Sequence, residues 1–285
     1  MSSINRGIGN AIWYKNSEHG KEQKAMIIDS HVHIYPDKIA LKAAAGVGEF
    51  YDIPMNFDGT TKTLLELEEA AGVDRCLVHS VATKPEQVGS INNFIAESVK
   101  NSNGKFIGFA TLHPDFGDTA AEVDRIISLG LRGVKLHPDF QRFALNEPRA
   151  MKLFEVLEGR LPVLIHTGDY RYKFSNPEMV IDVLDAFPKL DFIGAHFGGW
   201  SVWDEAEQKL LNKRMWVDTS SSFYSMDSDR AFSLIRAWGA DRVLFGTDYP
   251  MWSPVEELKF FNSLPLTEEE REKILHGNIE KLLGL

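Results

Sequence analysis

What most constrains this chain is a rhythm: eight short apolar runs recur along its 285 residues, most of them followed by polar, Gly or Pro residues and a segment with helical spacing. The runs are Met26–His33, Arg75–Val81, Phe106–Leu112, Gly133–His137, Pro162–Thr167, Asp191–Phe197, Met215–Ser220 and Arg242–Thr247. Helical patterns lie between them, over Thr63–Ala71, Gln87–Val99, Thr119–Leu129, Pro148–Glu158, Pro177–Ala186, Asp204–Lys213 and Arg230–Trp238. Asp118 is placed to cap one helix, and Pro148 and Pro177 sit where a first helical turn tolerates proline. Strands that alternate with helices build a parallel sheet, and eight units at this length match a closed (β/α)8 barrel better than an open sheet. The expected organisation is one barrel domain over residues 26–285, preceded by an arm, residues 1–25, either loose or plugging the barrel's bottom. The connection from residue 34 to 74 is the longest; its stretch Gly46–Gly59 reads as helix-poor and is expected to lie over the mouth. Thr267–Leu285 reads as closing helices.

Composition narrows the class of partner. Apolar residues at 44% and charged residues at 25% are ordinary for a globular protein with a sizeable core. A formal net charge of −10 repels phosphate backbones and anionic membranes, so a small-molecule substrate is expected rather than nucleic acid or membrane, with a homo-oligomer left open. The single cysteine, Cys76, can form neither an internal disulfide nor a Cys-rich zinc site, which points to a reducing cytoplasm. The first 25 residues lack the apolar core of a leader peptide, and no run approaches the length of a membrane span.

Seven of the nine histidines, His31, His33, His79, His113, His137, His166 and His196, lie within or just beyond proposed strands. In a (β/α)8 barrel the C-terminal strand ends converge on the active site, so polar residues there read as chemistry. His31 and His33 share a face by the period-2 rule, with Cα atoms about 6.7 Å apart, close enough for two imidazoles to meet one ion. Asp29 has the same parity and is expected to orient a ligand histidine; its alternative is a carboxylate at a strand start. His166 and His196 each end a run that should be buried on both faces, where a metal justifies an imidazole and a core histidine bonded to a carbonyl is the alternative. Asp248 closes the last run, either as a ligand and proton carrier or as a turn residue before Pro250.

Lys135 and His137 share a face at the end of the fourth run. A lysine facing a barrel interior needs a partner: a salt bridge to Asp29 or Asp218, neutrality through desolvation, or reaction with carbon dioxide to a carbamate that bridges two metals.

With His31 and His33 on the first strand, His166 on the fifth, His196 on the sixth and Asp248 on the eighth, the chain resembles the amidohydrolase superfamily. It is most similar to the amidohydrolase-related group that includes the aminocarboxymuconate semialdehyde and resorcylate decarboxylases. The similarity runs from about Met26 to the C-terminus and implies a distorted (β/α)8 TIM barrel. It further implies one zinc or manganese held by His31, His33, His166 and Asp248, with His196 as acid/base. Lys135-Leu136-His137 also looks like the corresponding strand of urease and dihydroorotase. That version implies a carbamylated Lys135 and a second ion on His166 and His196.

The expected activity is hydrolysis of an amide, ester or lactone bond through metal-activated water, with Asp248 moving the proton and His196 or His137 steadying the oxyanion. The alternatives are a metal-dependent decarboxylase or hydratase of a small aromatic or unsaturated acid, and a barrel with an idle metal site. Zinc is the first choice of ion, one or two, and manganese the second. Arg142, Arg171, Tyr170 and Trp200, in loops after the strands, are expected to bind the substrate, the cations gripping a carboxylate and the rings its planar body.

Overall fold

The computed structural model describes residues 13–15, 22–24 and 25–285. A short antiparallel pair, β1 (Trp13–Lys15) and β2 (Glu22–Lys24), precedes the barrel; the rest of the expected N-terminal arm lies outside the described residues. The barrel strands are β3 (Ile28–His33), β4 (Arg75–His79), β5 (Phe106–Thr111), β6 (Gly133–Leu136), β7 (Val163–Ile165), β8 (Phe192–Gly194), β9 (Trp216–Asp218) and β10 (Val243–Leu244). They pair in parallel in chain order. The ring closes through backbone hydrogen bonds from Ser30 to Phe245 O, His33 to Tyr249 O and Asp248 to His31 O. The result is a TIM barrel, each strand falling inside one expected run.

Around it run α1 (Asp37–Tyr51), α2 (Thr61–Ala71), α3 (Val88–Asn101), α4 (Thr119–Ser128), α5 (Pro138–Gln141), α6 (Pro148–Leu157), α7 (Pro177–Ala186), α8 (Trp203–Leu210), α9 (Ser228–Trp238), α10 (Pro254–Ser263), α11 (Glu268–Glu272) and α12 (Asn278–Leu283). Among the described residues no helix is long and apolar enough to cross a membrane.

The fold departs from the sequence reading at α1, whose last six residues, from Gly46 on, fall in the stretch expected to be helix-poor. Ala40, Ala44 and Gly48 recur every fourth residue and form its buried face. Gly48 is a point of close approach rather than a break, since a Cβ there would stand 2.7 Å from Ile53 O and 2.8 Å from Met55 Cγ. Its helical cost is offset by that packing, and α1 carries its C-terminus over the barrel mouth.

Inside the barrel, the inward positions are layered. Ile28, Leu77, Ile107, Phe109, Leu164, Ile193 and Leu244 form an apolar floor joined by Ile279 and Leu283 of α12. Two residues further along β4 and β7 the same face carries His79 and His166. Strand β3 adds an irregularity: Asp29 pairs with Cys76 but Val32 with Val78, so one extra residue is accommodated between them. This bulge lets Ile28 join the floor while His31 and His33 also face inward.

Candidate metal and substrate site

A small cavity, about 20 Å3 to the centre of a water-sized sphere, occupies the C-terminal ends of the strands, lined by His31, His33, Lys135, His166, His196 and Asp248 and roofed by residues of α1 and the last loop. His31 Nδ1 is 2.8 Å from Asp218 Oδ2, and a carboxylate there fixes the imidazole proton on Nδ1. His31 Nε2 thus keeps its lone pair, 3.4 Å from Asp248 Oδ1, and His33 Nε2 stands at the same 3.4 Å from that oxygen. Donors about 2.1 Å from one ion in tetrahedral geometry lie about 3.4 Å apart, so these three atoms are spaced as ligands are. Lys135 Nζ meets His31 Nε2 at 2.9 Å.

Electrostatics favours a cation here. Burial lowers the pKa of His31 to about 4 and keeps His33, His137, His166 and His196 neutral. Burial pushes Asp218 up, but the neighbouring His31 more than offsets this and holds it at about 2. Asp248 is likewise held well below the usual carboxylate range, burial being outweighed by His31, His33 and His196. Burial brings Lys135 down to about 8. Two buried carboxylates thus face one weakened ammonium, and the uncompensated charge, with imidazole lone pairs aimed at it, fits a divalent cation.

The carboxylate Asp248 is itself held. Ser221 Oγ donates to its Oδ2 at 2.5 Å and accepts from Trp252 Nε1 at 2.8 Å, which leaves Oδ1 for the histidines. Ser221 and Asp248 both stand in left-handed backbone, φ 43° and 65°, strain of the kind stored at functional sites.

The second wall is aromatic. His137 lies between Phe140 (centroids 3.9 Å, planes at 14°) and His166 (4.0 Å, 7°). His166 Nδ1 is 3.0 Å from His196 Nε2, and His196 Nδ1 is 2.8 Å from the Ser220 carbonyl. Trp200 packs edge-on against Tyr51 at 4.9 Å.

The structure therefore gathers His31, His33, His137, His166, His196, Lys135 and Asp248 around one cavity, with Trp200 behind Tyr51. Two expected substrate residues stand elsewhere: Arg142 is exposed at the left-handed end of α5, and Tyr170 is 73% exposed. Arg171 is paired with the buried Asp169 at 2.7 Å and lies 5.0–5.5 Å from the rings of Phe50, Tyr51, Tyr172 and Trp200, so its charge is already matched. Asp29 does not orient a ligand imidazole, because the bulge turns it away from the histidines. It accepts instead from the backbone N–H groups of His31 and Thr247, stapling the first strand to the last, and Asp218 takes the expected role.

Sequence reasoning gave Tyr51 no role, took Asp218 only as a partner for Lys135, and placed His79 only among the strand-end histidines. Asp218 ends a run in which it reads as an ordinary strand-end carboxylate. His79 is buried edge-on to His31 and His33 at 4.9 and 4.4 Å, with neither ring nitrogen hydrogen-bonded among the described residues. Donor atoms of His31, His33 and His79 lie within 4.8 Å of one another, as do those of His137, Asp139 and His166. His113 is placed otherwise: its Nδ1 accepts from the Asp115 N–H, outside the cavity lining.

Comparison with known proteins agrees with this architecture. A gamma-resorcylate decarboxylase from Polaromonas sp. is 32% identical over 120 residues, covering 36% of this chain and 37% of the relative, so the chain matches little more than a third of that protein's length. An uncharacterised TIM-barrel protein from Bordetella bronchiseptica superposes with a TM-score of 0.74 at 23% identity, over 91% of this chain and 98% of the other. A dihydroxybenzoic acid decarboxylase from Polaromonas sp., solved with bound manganese and an inhibitor, gives 0.70 at 18%, over 92% and 97%. At such identities these structures speak for the fold alone. The amidohydrolase family matches residues 28–285. Because that stretch opens on the first residue of β3 and runs through α12, it takes in every strand of the barrel, and the chain belongs to the amidohydrolase family.

Proposed function

We propose that this chain is a metal-dependent, non-oxidative decarboxylase of a small aromatic carboxylic acid. The observation that carries the reading is the asymmetry of the cavity: a cation-seeking cluster of His31, His33 and Asp248 forms one wall, while opposite it the imidazoles of His137, His166 and His196 are joined by Tyr51, Phe140, Val47, Met55 and Met251. A planar acid is proposed to bind there, its oxygens toward the cluster and its ring among the apolar side chains. The name of the curated relative supports this over the hydrolytic expectation, although the match covers only part of each chain.

His31, His33, His166 and Asp248 are proposed to hold a single divalent ion, with manganese preferred because a fold neighbour carries it. When bound, the ion supplies positive charge to the acid's oxygens. His196 carries the proton: Ser220 O fixes Nδ1–H, so Nε2 is the nitrogen that takes a proton up and gives it out. Nε2, a lone pair at rest, takes up one proton from solvent; as the carbon–carboxyl bond breaks, its electron pair stays on the ring carbon, carbon dioxide leaves, and that proton goes to the carbon. Apolar side chains around the ring keep competing water out. Trp200 and Arg171 are proposed to steady Tyr51 and Phe50 at the mouth. Lys135 is proposed to balance charge beside His31 rather than to bridge two ions.

Manganese-loaded protein incubated with 2,6-dihydroxybenzoate and related hydroxybenzoates should release carbon dioxide, read by headspace analysis and loss of substrate absorbance. Turnover of a lactone or amide panel with no carbon dioxide from any hydroxybenzoate would reject the reading in favour of hydrolysis.

A further inference from the structure

Tyr51, the last residue of α1, brings a hydroxyl into the cavity. Its Oη is 2.7 Å from His137 Nε2 and 3.5 Å from His166 Nδ1. Distance alone leaves open which partner donates, since imidazole nitrogens can do either. The other nitrogen of His137 resolves it. His137 caps α5, and its Nδ1 accepts from the Phe140 N–H at 3.3 Å. A backbone N–H only donates, so Nδ1 holds a lone pair and the neutral imidazole carries its proton on Nε2. That N–H donates to Tyr51 Oη. The ring is stacked between Phe140 and His166, nearly parallel to both.

The second neighbour of Oη is a donor too. His196 gives its Nδ1–H to Ser220 O, which leaves a lone pair on Nε2 and requires the proton between the two rings to sit on His166 Nδ1. Tyr51 Oη therefore receives from His137 and meets in His166 Nδ1 a donor whose proton goes to His196, so its own proton has no acceptor among the described residues although the side chain is half-buried. A buried donor without a partner is costly and rare, and this one borders the cavity.

We propose that Tyr51 is a substrate-binding residue whose phenol O–H donates to an oxygen of the bound acid, on the side of the cavity facing α1. The proposal rests on the acid-binding reading of the cavity and sharpens it: the ligand must present an acceptor oxygen to α1 as well as to the His31–His33–Asp248 cluster. The phenol stays protonated across the working range because burial raises its pKa well above the ordinary value.

Tyr51→Phe keeps the ring against Trp200 and removes only the hydroxyl. Calorimetric titration of manganese-loaded protein with 2,6-dihydroxybenzoate should show Kd rising about ten- to a hundredfold, with manganese content and Tm unchanged. Equal affinity of the two proteins would overturn the proposal. Independently of any ligand, long-range 15N spectra of the histidines should show His137 as the Nε2–H tautomer, and an Nδ1–H tautomer would overturn it as well. If wild-type protein binds no hydroxybenzoate, the decarboxylase reading falls, while the His137 tautomer still decides the direction of the Tyr51 hydroxyl.

Discussion

On one side of the cavity His31 and His33 are held by charge: Asp218 behind the first imidazole, Asp248 in front of both, Ser221 behind Asp248. On the other side His137 is held by stacking, and His137 and His166 bond to a phenol and to each other's neighbours. The same residue type thus serves two ends. Backed by carboxylates, an imidazole becomes a better ligand, because its tautomer is fixed and its basicity raised. Backed by rings, it becomes a rigid donor that aims another group. The proposed division gives cation binding to the first wall, joined by His166 from the second, and substrate reading to Tyr51 and His137.

The largest test of that division is at Asp248. Asp248→Asn removes the anionic oxygen shared by His31 and His33, and kcat should fall by about a thousandfold or more with metal content reduced. Elemental analysis beside steady-state kinetics checks both. Near-wild-type turnover would break the comparison at its base.

Asp218→Asn probes the wall one step back. An amide can donate to His31 Nδ1 and drive the imidazole proton onto Nε2, the nitrogen facing Asp248. Metal affinity should weaken about ten- to a hundredfold in competitive chelator titrations, with the aromatic wall and hydroxybenzoate contacts intact. A change confined to substrate affinity would mean that the two walls are not separable.

The smallest expected effect lies behind the charged wall, at Glu257 on α10. Burial, then the charges of Asp29 and Asp248, raise its pKa from 4.5 to about 8. A group raised on folding gives its full contribution below its unfolded pKa and loses it as pH climbs through the folded one. Glu257→Gln should therefore match wild type near pH 4 and gain an advantage that grows up to about pH 8 to 9. The Tm difference should widen with pH over that range, by about 2–4 °C for each kcal/mol. A constant Tm offset across pH would show that Glu257 does not ionise with folding.

How far the sequence discloses this molecule depends on the range of the forces involved. Strand runs and most helices were legible because burial imposes local periodicity, and the histidines at strand ends were legible because the barrel topology sends those ends to one place. The helix through Gly46 and Gly48 was not, since its justification is a contact with Ile53 and Met55 rather than anything within the helix. Asp218 rather than Asp29 backs His31 because a single extra residue in β3 resets which side chains face inward. Tyr51 carried no signal of its own; its significance depends on His137, 86 positions away.

That extra residue in β3 has a consequence for how such a site can be lost. Counting in twos from Ile28 would send Ser30 and Val32 inward and turn both imidazoles toward the outer helices. The floor and the ligand pair thus belong to opposite phases of one continuous segment, reconciled by an insertion of one. Pairing this segment regularly, without the bulge between positions 29 and 32, would leave every residue in place, yet present the cavity with the wrong edge of the strand. Chemistry at this barrel's mouth depends on a count as much as on the identity of its residues.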